Sequence, residues 1–232
     1  MNQLHTNRPI APNDLLQSPS HSDWRTRLAA FGSRESEAFS KGEFIFRPDE
    51  PARCLYLLDS GRVKLGAYSD NGREIIKAIL KPGEVFGESV ILGEVTRTNY
   101  ALALDGEVKV FPLTLSEFKA LIQDDDEFSL QITRMLTVRL KSTEQRLESL
   151  VSKDARTRVV DFLLGMAAKS AANGAGEVHI ANFFTHRDIA SLTATSRQTV
   201  TSILNDLREK GIISFDRKHL QIHNIHSLRA KS

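Results

Sequence analysis

The chain has 232 residues, of which 41% are hydrophobic and 26% charged, a composition typical of a soluble globular protein. No apolar run reaches the roughly 20 residues that cross a bilayer, and the first residues lack a secretory signal pattern, so we expect a cytoplasmic protein without a membrane partner. Cys54 is the only cysteine. A single cysteine excludes an intrachain disulfide and an iron–sulfur cluster held by the cysteines of one chain.

The net charge of +2 is unevenly distributed along the chain. Residues 1–152 carry 19 basic and 22 acidic side chains, whereas residues 153–232 carry 12 basic and 7 acidic ones. An acidic first part joined to a basic second part predicts two domains, of which the second faces a polyanion.

The first part of the chain has the pattern of a small antiparallel β domain. Residues 1–22 are polar and contain three prolines, which predicts a flexible arm, and residues 24–31 are compatible with a short helix. From residue 42 to residue 111, short apolar stretches alternate with turn-forming pairs such as Asn71-Gly72. Strands this short, with turns this close together, predict a β-roll domain over residues 23–124.

A helical period replaces the strand pattern after Asp124. Apolar residues recur at alternating spacings of four and three, and no Gly or Pro interrupts residues 113–164. This is the a/d pattern of a coiled-coil seam, so we expect a dimerisation helix over residues 125–152 and a homodimer. A helix that lies on its own domain's sheet is the alternative. The predicted seam consists of Phe128, Ile132, Leu136, Leu140, Thr143, Leu147 and Leu150.

Residues 153–232 contain the pattern of a helix-turn-helix. Thr185 is a suitable N-cap for a first helix and Ser196 for a second one. The second helix places Arg197 and Gln198 where they can pair with guanine and adenine in the major groove. A hairpin with a basic tip follows at residues 213–222 and completes a winged helix; an ordinary helical hairpin is the alternative. The predicted DNA contacts are Thr185, Arg187, Ser196, Arg197, Gln198, Thr199, Thr201 and Ser202.

The order of β-roll, long helix and winged helix resembles the Crp–Fnr family of bacterial transcription regulators over roughly residues 25–226. Residues 195–204 (TSRQTVTSIL) are similar to the family's recognition helix, except that Gln198 and Ser202 replace the Glu and Arg found in relatives. The resemblance implies an α+β fold with a cyclic-nucleotide-binding-like jelly roll, a long dimerisation helix and a C-terminal winged helix-turn-helix. It further implies a homodimer on a pseudo-palindromic double-stranded DNA operator, with RNA polymerase as a further partner.

Residues 82–101 resemble the phosphate-binding cassette of the same family. A Gly–Glu pair brings backbone amides close to an anion and offers a carboxylate to a ribose hydroxyl, and an arginine neutralises the phosphate. Cyclic AMP or cyclic GMP is therefore the expected effector. A vestigial pocket with a structural Glu88–Arg97 ion pair and a module that acts on a protein partner are the alternatives. The resemblance assigns effector contacts to Gly87, Glu88, Arg97, Thr98, Thr143 and Glu144.

The sequence contains no pattern of a metal or catalytic site. No histidine lies between His21 and His179, so the β-roll lacks the ligands of a cupin-type metal enzyme. No Ser–His–Asp arrangement or P-loop is present, and we expect no catalytic residue and no metal ligand.

Overall fold

The computed structural model describes residues 35–170, 177–181, 184–216 and 219–230. The predicted arm, the helix expected at residues 24–31, the loop at residues 171–176 and the wing-tip residues Arg217 and Lys218 lie outside the described residues. The chain forms two compact units, and the boundary between them falls between Arg139 and Leu140, inside the long helix that we had expected to be a separate segment.

Eight strands of the first unit form two four-stranded antiparallel sheets, with the strand orders β1-β8-β3-β6 and β2-β7-β4-β5. This is the predicted β-roll. The strands are β1 (Glu37–Ser40), β2 (Phe44–Phe46), β3 (Leu55–Ser60), β4 (Val63–Tyr68), β5 (Glu74–Leu80), β6 (Val85–Phe86), β7 (Tyr100–Ala103) and β8 (Glu107–Leu113).

The period-two alternation of β3 divides its leucines between two hydrophobic cores. Leu58 belongs to the core that both sheets enclose, together with residues such as Phe86 and Ala101. Leu57 points to the opposite side and packs in a second core with the helices that follow the roll. Both leucines are 1% exposed, so one strand anchors the two sheets to each other and the helices to the first sheet.

Two helices follow the roll, α1 (Leu115–Asp124) and α2 (Asp126–Ser152). A capping box begins α1: the Thr114 hydroxyl accepts from the backbone N–H of Glu117 (3.3 Å), and the Glu117 carboxylate accepts from the backbone N–H of Thr114 (2.8 Å). Among the described residues, no helix is both long and apolar enough to cross a membrane.

The predicted seam on α2 divides into two groups. Phe128 and Ile132 are 1% and 7% exposed and pack with Met135 inside the first unit's own core, so the prediction that they face a partner is wrong. At 100° per residue, the mean direction of these three side chains lies roughly 80° around the helix axis from the mean direction of the leucines that follow. The remaining predicted leucines are at least 44% exposed; they are Leu136, Leu140, Leu147 and Leu150.

The second unit surrounds one hydrophobic core formed by helices and a three-stranded antiparallel sheet of order β10-β11-β9. The predicted helix pair and hairpin are present, whereas β9 and the last helix have no counterpart in the prediction. The elements are α3 (Ala155–Ser170), β9 (Val178–Ala181), α4 (His186–Leu192), α5 (Arg197–Glu209), β10 (Ile213–Phe215), β11 (His219–Ile222) and α6 (Ile225–Arg229).

Candidate functional sites

The cassette of the first unit begins with a sharp backbone turn at Gly87. Strand β6 ends at Phe86, Gly87 has a φ of 77°, and a 3₁₀ helix follows over Glu88–Leu92. A Cβ atom on Gly87 would lie 3.0 Å from Nη1 of Arg97. Glycine therefore serves two purposes here, since it adopts the left-handed conformation and lets the guanidinium approach the backbone.

Arg97 is buried, with 3% of its surface exposed. Its Nη1 donates to the carbonyl oxygen of Gly87 (3.0 Å), and its Nη2 donates to that of Cys54 (2.6 Å). In the described part of the chain, its Nε is buried without a hydrogen-bond partner. The positive charge is thus removed from water, and within the described residues its hydrogen bonds go to neutral carbonyl oxygens, an arrangement that an anion would stabilise.

Aromatic rings form the wall beside the Arg97 guanidinium. The guanidinium carbon lies 4.4 Å from the ring centroid of Phe46, which stacks on Tyr56 and Phe86 at centroid distances of 5.9 and 6.1 Å. Burial, together with a hydrogen bond to Cys54, raises the pKa of Tyr56, so its phenol stays neutral at physiological pH. Arg97 therefore holds a formal charge beside an uncharged, poorly solvated wall.

Glu88 forms an ion pair with α2. Its Oε1 lies 3.0 Å from Nη1 of Arg139, whose Nη2 donates to the carbonyl oxygen of Val85 (3.0 Å). Within the described residues, the partner of Glu88 is therefore Arg139 and not Arg97, contrary to the ion pair considered for a vestigial pocket. Sequence reasoning missed Arg139. The sequence could have indicated it, because Arg139 lies one helical turn before Thr143, a predicted effector contact on the same helix.

The other predicted effector contacts are accessible to solvent. Thr98 follows Arg97 and is exposed. Thr143 and Glu144 are exposed on the part of α2 that belongs to the second unit. The first unit thus brings Gly87, Glu88 and Arg97 into one cluster, with Arg139 as an additional member.

The two helices of the helix-turn-helix begin at the predicted caps. The Thr185 hydroxyl accepts from the backbone N–H of Asp188 (3.1 Å) at the start of α4. At the start of α5, the Ser196 hydroxyl accepts from the backbone N–H of Thr199 (3.0 Å). Both N-cap predictions are confirmed.

The two faces of α5 differ sharply in polarity. Val200, Ile203, Leu204 and Leu207 are buried in the core of the second unit, as the spacing predicted. The eight predicted DNA contacts lie outside that core. Those that are exposed are Thr185, Arg187, Ser196, Arg197, Gln198 and Ser202, and those that are half-buried are Thr199 and Thr201.

Two arginines that sequence reasoning missed hold the turn between α4 and α5. Arg158 donates from Nε to the carbonyl oxygen of Thr193 (2.8 Å) and from Nη2 to that of Ala194 (3.2 Å). Arg146 donates from Nη2 to the carbonyl oxygen of Leu192 (3.2 Å), and burial lowers its pKa. Because Ala194 has a φ of 49°, unusual for a residue with a side chain, these bonds stabilise a backbone conformation that alanine disfavours.

Comparisons with known proteins match both units. Residues 36–125 match the family model of the cyclic nucleotide-binding domain, and residues 157–231 match that of the Crp-like helix-turn-helix domain. The chain is 31% identical over 194 residues to the CRP-like cAMP-activated global transcriptional regulator of Mycobacterium tuberculosis, and this alignment covers 84% of our chain and 86% of the relative. It is also 31% identical over 188 residues to the global nitrogen regulator of Nostoc, in an alignment that covers 81% of our chain and 84% of that relative.

A solved structure supports the fold. The c-di-GMP-responsive global regulator CLP of Xanthomonas campestris matches with a TM-score of 0.75 at 20% identity, over 88% of this chain and 100% of that chain. Together with the sequence relatives and the two domain matches, these findings show that the chain belongs to the Crp–Fnr family, whose members are DNA-binding transcription regulators and not enzymes.

Proposed function

We propose that the protein is a cytoplasmic homodimeric regulator that binds a pseudo-palindromic operator, contacts RNA polymerase and is gated by a cyclic nucleotide in its β-roll. The observation that carries the effector assignment is the environment of Arg97, a buried guanidinium whose Nε has no hydrogen-bond partner among the residues that the structure describes. A cyclic phosphate at this point would supply the missing acceptor and the missing negative charge. The cAMP-activated regulator of M. tuberculosis, at 31% identity, supports a cyclic nucleotide as this effector.

The proposed contacts follow the chemistry of each group in the cluster. Gly87 gives close access to the backbone, Arg97 and Thr98 bind the phosphate, and Glu88 accepts a ribose hydroxyl through the oxygen that Arg139 does not use. On α2, the proposed base contacts are Thr143 and Glu144.

The proposed DNA interface is the exposed face of α5 with the first turn of α4. Arg197 and Gln198, at the start of α5, read base edges, since the first turn of a recognition helix enters the major groove. The hydroxyls of Thr185, Ser196 and Thr199, with Arg187, hold phosphates. Two copies related by a two-fold axis, joined through the exposed leucines of α2, would read half-sites about one helical turn apart.

The effector assignment is tested by calorimetric titration of the purified protein with cyclic AMP and then cyclic GMP at fixed salt. We expect a saturable signal that Arg97→Leu abolishes and that Glu88→Gln weakens. The matched control is Arg62→Met, which removes the same charge from the same unit at a half-buried pair with Asp105 and should leave the titration unchanged. Flat traces with both nucleotides in the folded wild type contradict the assignment.

The DNA interface is tested by anisotropy with an operator selected from random duplexes. Arg197→Ala should cost about 1–3 kcal/mol of binding free energy and relax one base preference. Arg53→Ala, an exposed arginine in the β-roll, is the control for the change in net charge. Equal affinities of the two variants would show that α5 does not read DNA through Arg197.

One observation favours a second candidate, a regulator that binds DNA without an effector. Two carbonyl oxygens already accept from Arg97, and Glu88 already pairs with Arg139. In that case DNA affinity would be full without nucleotide and unchanged by Arg97→Leu.

A further inference from the structure

His186 joins the first helix of the helix-turn-helix to the proposed DNA-reading face of the second. It is the first residue of α4, and its Nδ1 lies 2.9 Å from Oγ1 of Thr201 on α5. Its ring packs edge-on against Phe215 of β10, at a centroid distance of 5.6 Å and an interplanar angle of 65°. The guanidinium carbon of Arg208 in turn lies 5.2 Å from the ring centroid of Phe215. The imidazole is thus packed against the β10 strand of the wing.

The hydrogen bonds of Thr201 leave its hydroxyl without a free donor. Oγ1 lies 2.9 Å from the carbonyl oxygen of Arg197, which can only accept, so the single hydroxyl hydrogen points there. Nδ1 of His186 must then carry the hydrogen of the second bond. One lone pair and the γ-methyl group of Thr201 remain for any further contact.

The protonation state of His186 does not alter the number of donors and acceptors that Thr201 has left for DNA. The neutral ring with its hydrogen on Nδ1 and the imidazolium both donate to Thr201. Burial and, after it, the charge of Arg197 lower the pKa of His186 and so favour the neutral ring. The donation to Thr201 therefore holds across physiological pH.

A contact with one acceptor, one methyl group and no donor discriminates among bases. In the major groove, adenine and cytosine present amino donors and thymine presents a methyl group, whereas guanine presents only the acceptors N7 and O6. We propose that His186 is a specificity-positioning residue, which holds the Thr201 hydroxyl so that guanine is excluded from the base that Thr201 faces in each half-site. This inference rests on the proposed DNA interface of α5.

The experiment compares the base preferences of full-length variants. Binding sites are selected from randomised duplex DNA with wild type and with Thr201→Val, and the position whose preference differs between them is the one that Thr201 faces. Affinities are then measured for four duplexes that differ only at this position. His186→Leu removes the donor, whereas His186→Asn keeps an N–H donor close to the place of Nδ1. His186→Phe, which keeps an aromatic ring against Phe215, replaces the leucine variant if that variant does not fold.

Wild type and His186→Asn should bind the guanine duplex at least about ten-fold more weakly than the best duplex, the usual scale of a mismatched pair. His186→Leu should reduce this discrimination about five-fold, the size of one hydrogen bond. The Thr201 hydroxyl would then be held only by its bond to the carbonyl oxygen of Arg197, so turning it to donate to O6 or N7 would break one hydrogen bond and no longer two. In a Thr201→Val background, His186→Leu should leave the discrimination unchanged, since no hydroxyl remains to turn.

An affinity loss in His186→Leu that is equal for all four duplexes would show a merely structural role and overturn the proposal. Unchanged discrimination in that variant, while Arg197→Ala still weakens binding, would also overturn it and leave the DNA interface intact. If Arg197→Ala binds as tightly as the wild type, the proposed interface itself fails.

Discussion

The exposed leucines of α2, here called the leucine stripe (Leu136, Leu140, Leu147 and Leu150), allow us to calculate how strongly a substitution should weaken homodimerisation. Leu140 and Leu147 are 61% and 63% exposed in the single chain. Complete burial of a leucine side chain stabilises by about 2 kcal/mol, so burial of the part now exposed contributes about 1 kcal/mol. A two-fold axis places each residue in the interface twice, and Leu140→Ala should therefore weaken dimerisation by about 2 kcal/mol, or roughly thirty-fold in the dissociation constant. The double variant with Leu147→Ala should lose several-hundred-fold if the two effects add.

Sedimentation equilibrium over a wide concentration range, without DNA or nucleotide, measures these constants directly. The matched control is Leu130→Ala on the same helix; Leu130 is 44% exposed and lies about 120° around the axis from Leu136. The control should dimerise as the wild type does. A wild type that stays monomeric at every concentration, or a double variant that matches the control, would refute the assignment of this stripe to a dimer.

Two further predictions concern the stability of the β-roll. Gly66→Ala should lower the free energy of unfolding in urea by about 2–3 kcal/mol, because its Cβ would lie 2.3 Å from Oη of Tyr100, which is 1% exposed. Gly106→Ala, whose Cβ would meet no atom within 4 Å, should change it by less than about 0.5 kcal/mol; equal effects would contradict the packing argument. Arg62 bonds to Asp105 at 2.7 Å and lowers the pKa of that carboxyl, so the pair stabilises the fold above the ordinary aspartate pKa of about 3.9 and loses this effect as the pH falls through the lowered value. Arg62→Met should cost up to about 1 kcal/mol at pH 7, given solvent screening, and progressively less below about pH 4; a difference that stays constant down to acidic pH would exclude this origin.

Local chemistry made much of the fold predictable. The pair Asn71-Gly72 indicated a tight turn, and in the structure Gly72 has a φ of 75° between β4 and β5. The cap at Ser196 identified the start of α5, because a hydroxyl that accepts from a nearby N–H is a short-range feature. Strand β9 escaped prediction because its stability depends on distant pairing: Ala181 pairs with His219 in β11.

Features that depend on which surfaces meet were beyond the sequence pattern. The spacing of Phe128 and Ile132 identified an apolar side of α2, but it contains no information on whether the first unit's own core or a second copy covers that side. The contacts of Arg139 and Arg158 depend on carbonyl oxygens far away in the sequence, at Val85 and Thr193. Such bonds connect an arginine to a backbone carbonyl oxygen. Because every residue type has this oxygen, the sequence does not indicate which residue will accept the bond.

The bond between Glu88 and Arg139 limits how an effector could act. A carboxylate offers about four lone-pair positions, and Arg139 uses Oε1 only, while the Glu88 side chain is 43% exposed. A charge-assisted pair is stronger than a bond to a neutral ribose hydroxyl, so the hydroxyl would join Glu88 without displacing Arg139. In the proposed function, α2 up to Arg139 thus stays attached to the cassette with and without nucleotide. On this proposal, the conformational response to an effector would lie in the part of α2 after Arg139, which carries Thr143 and the exposed leucines.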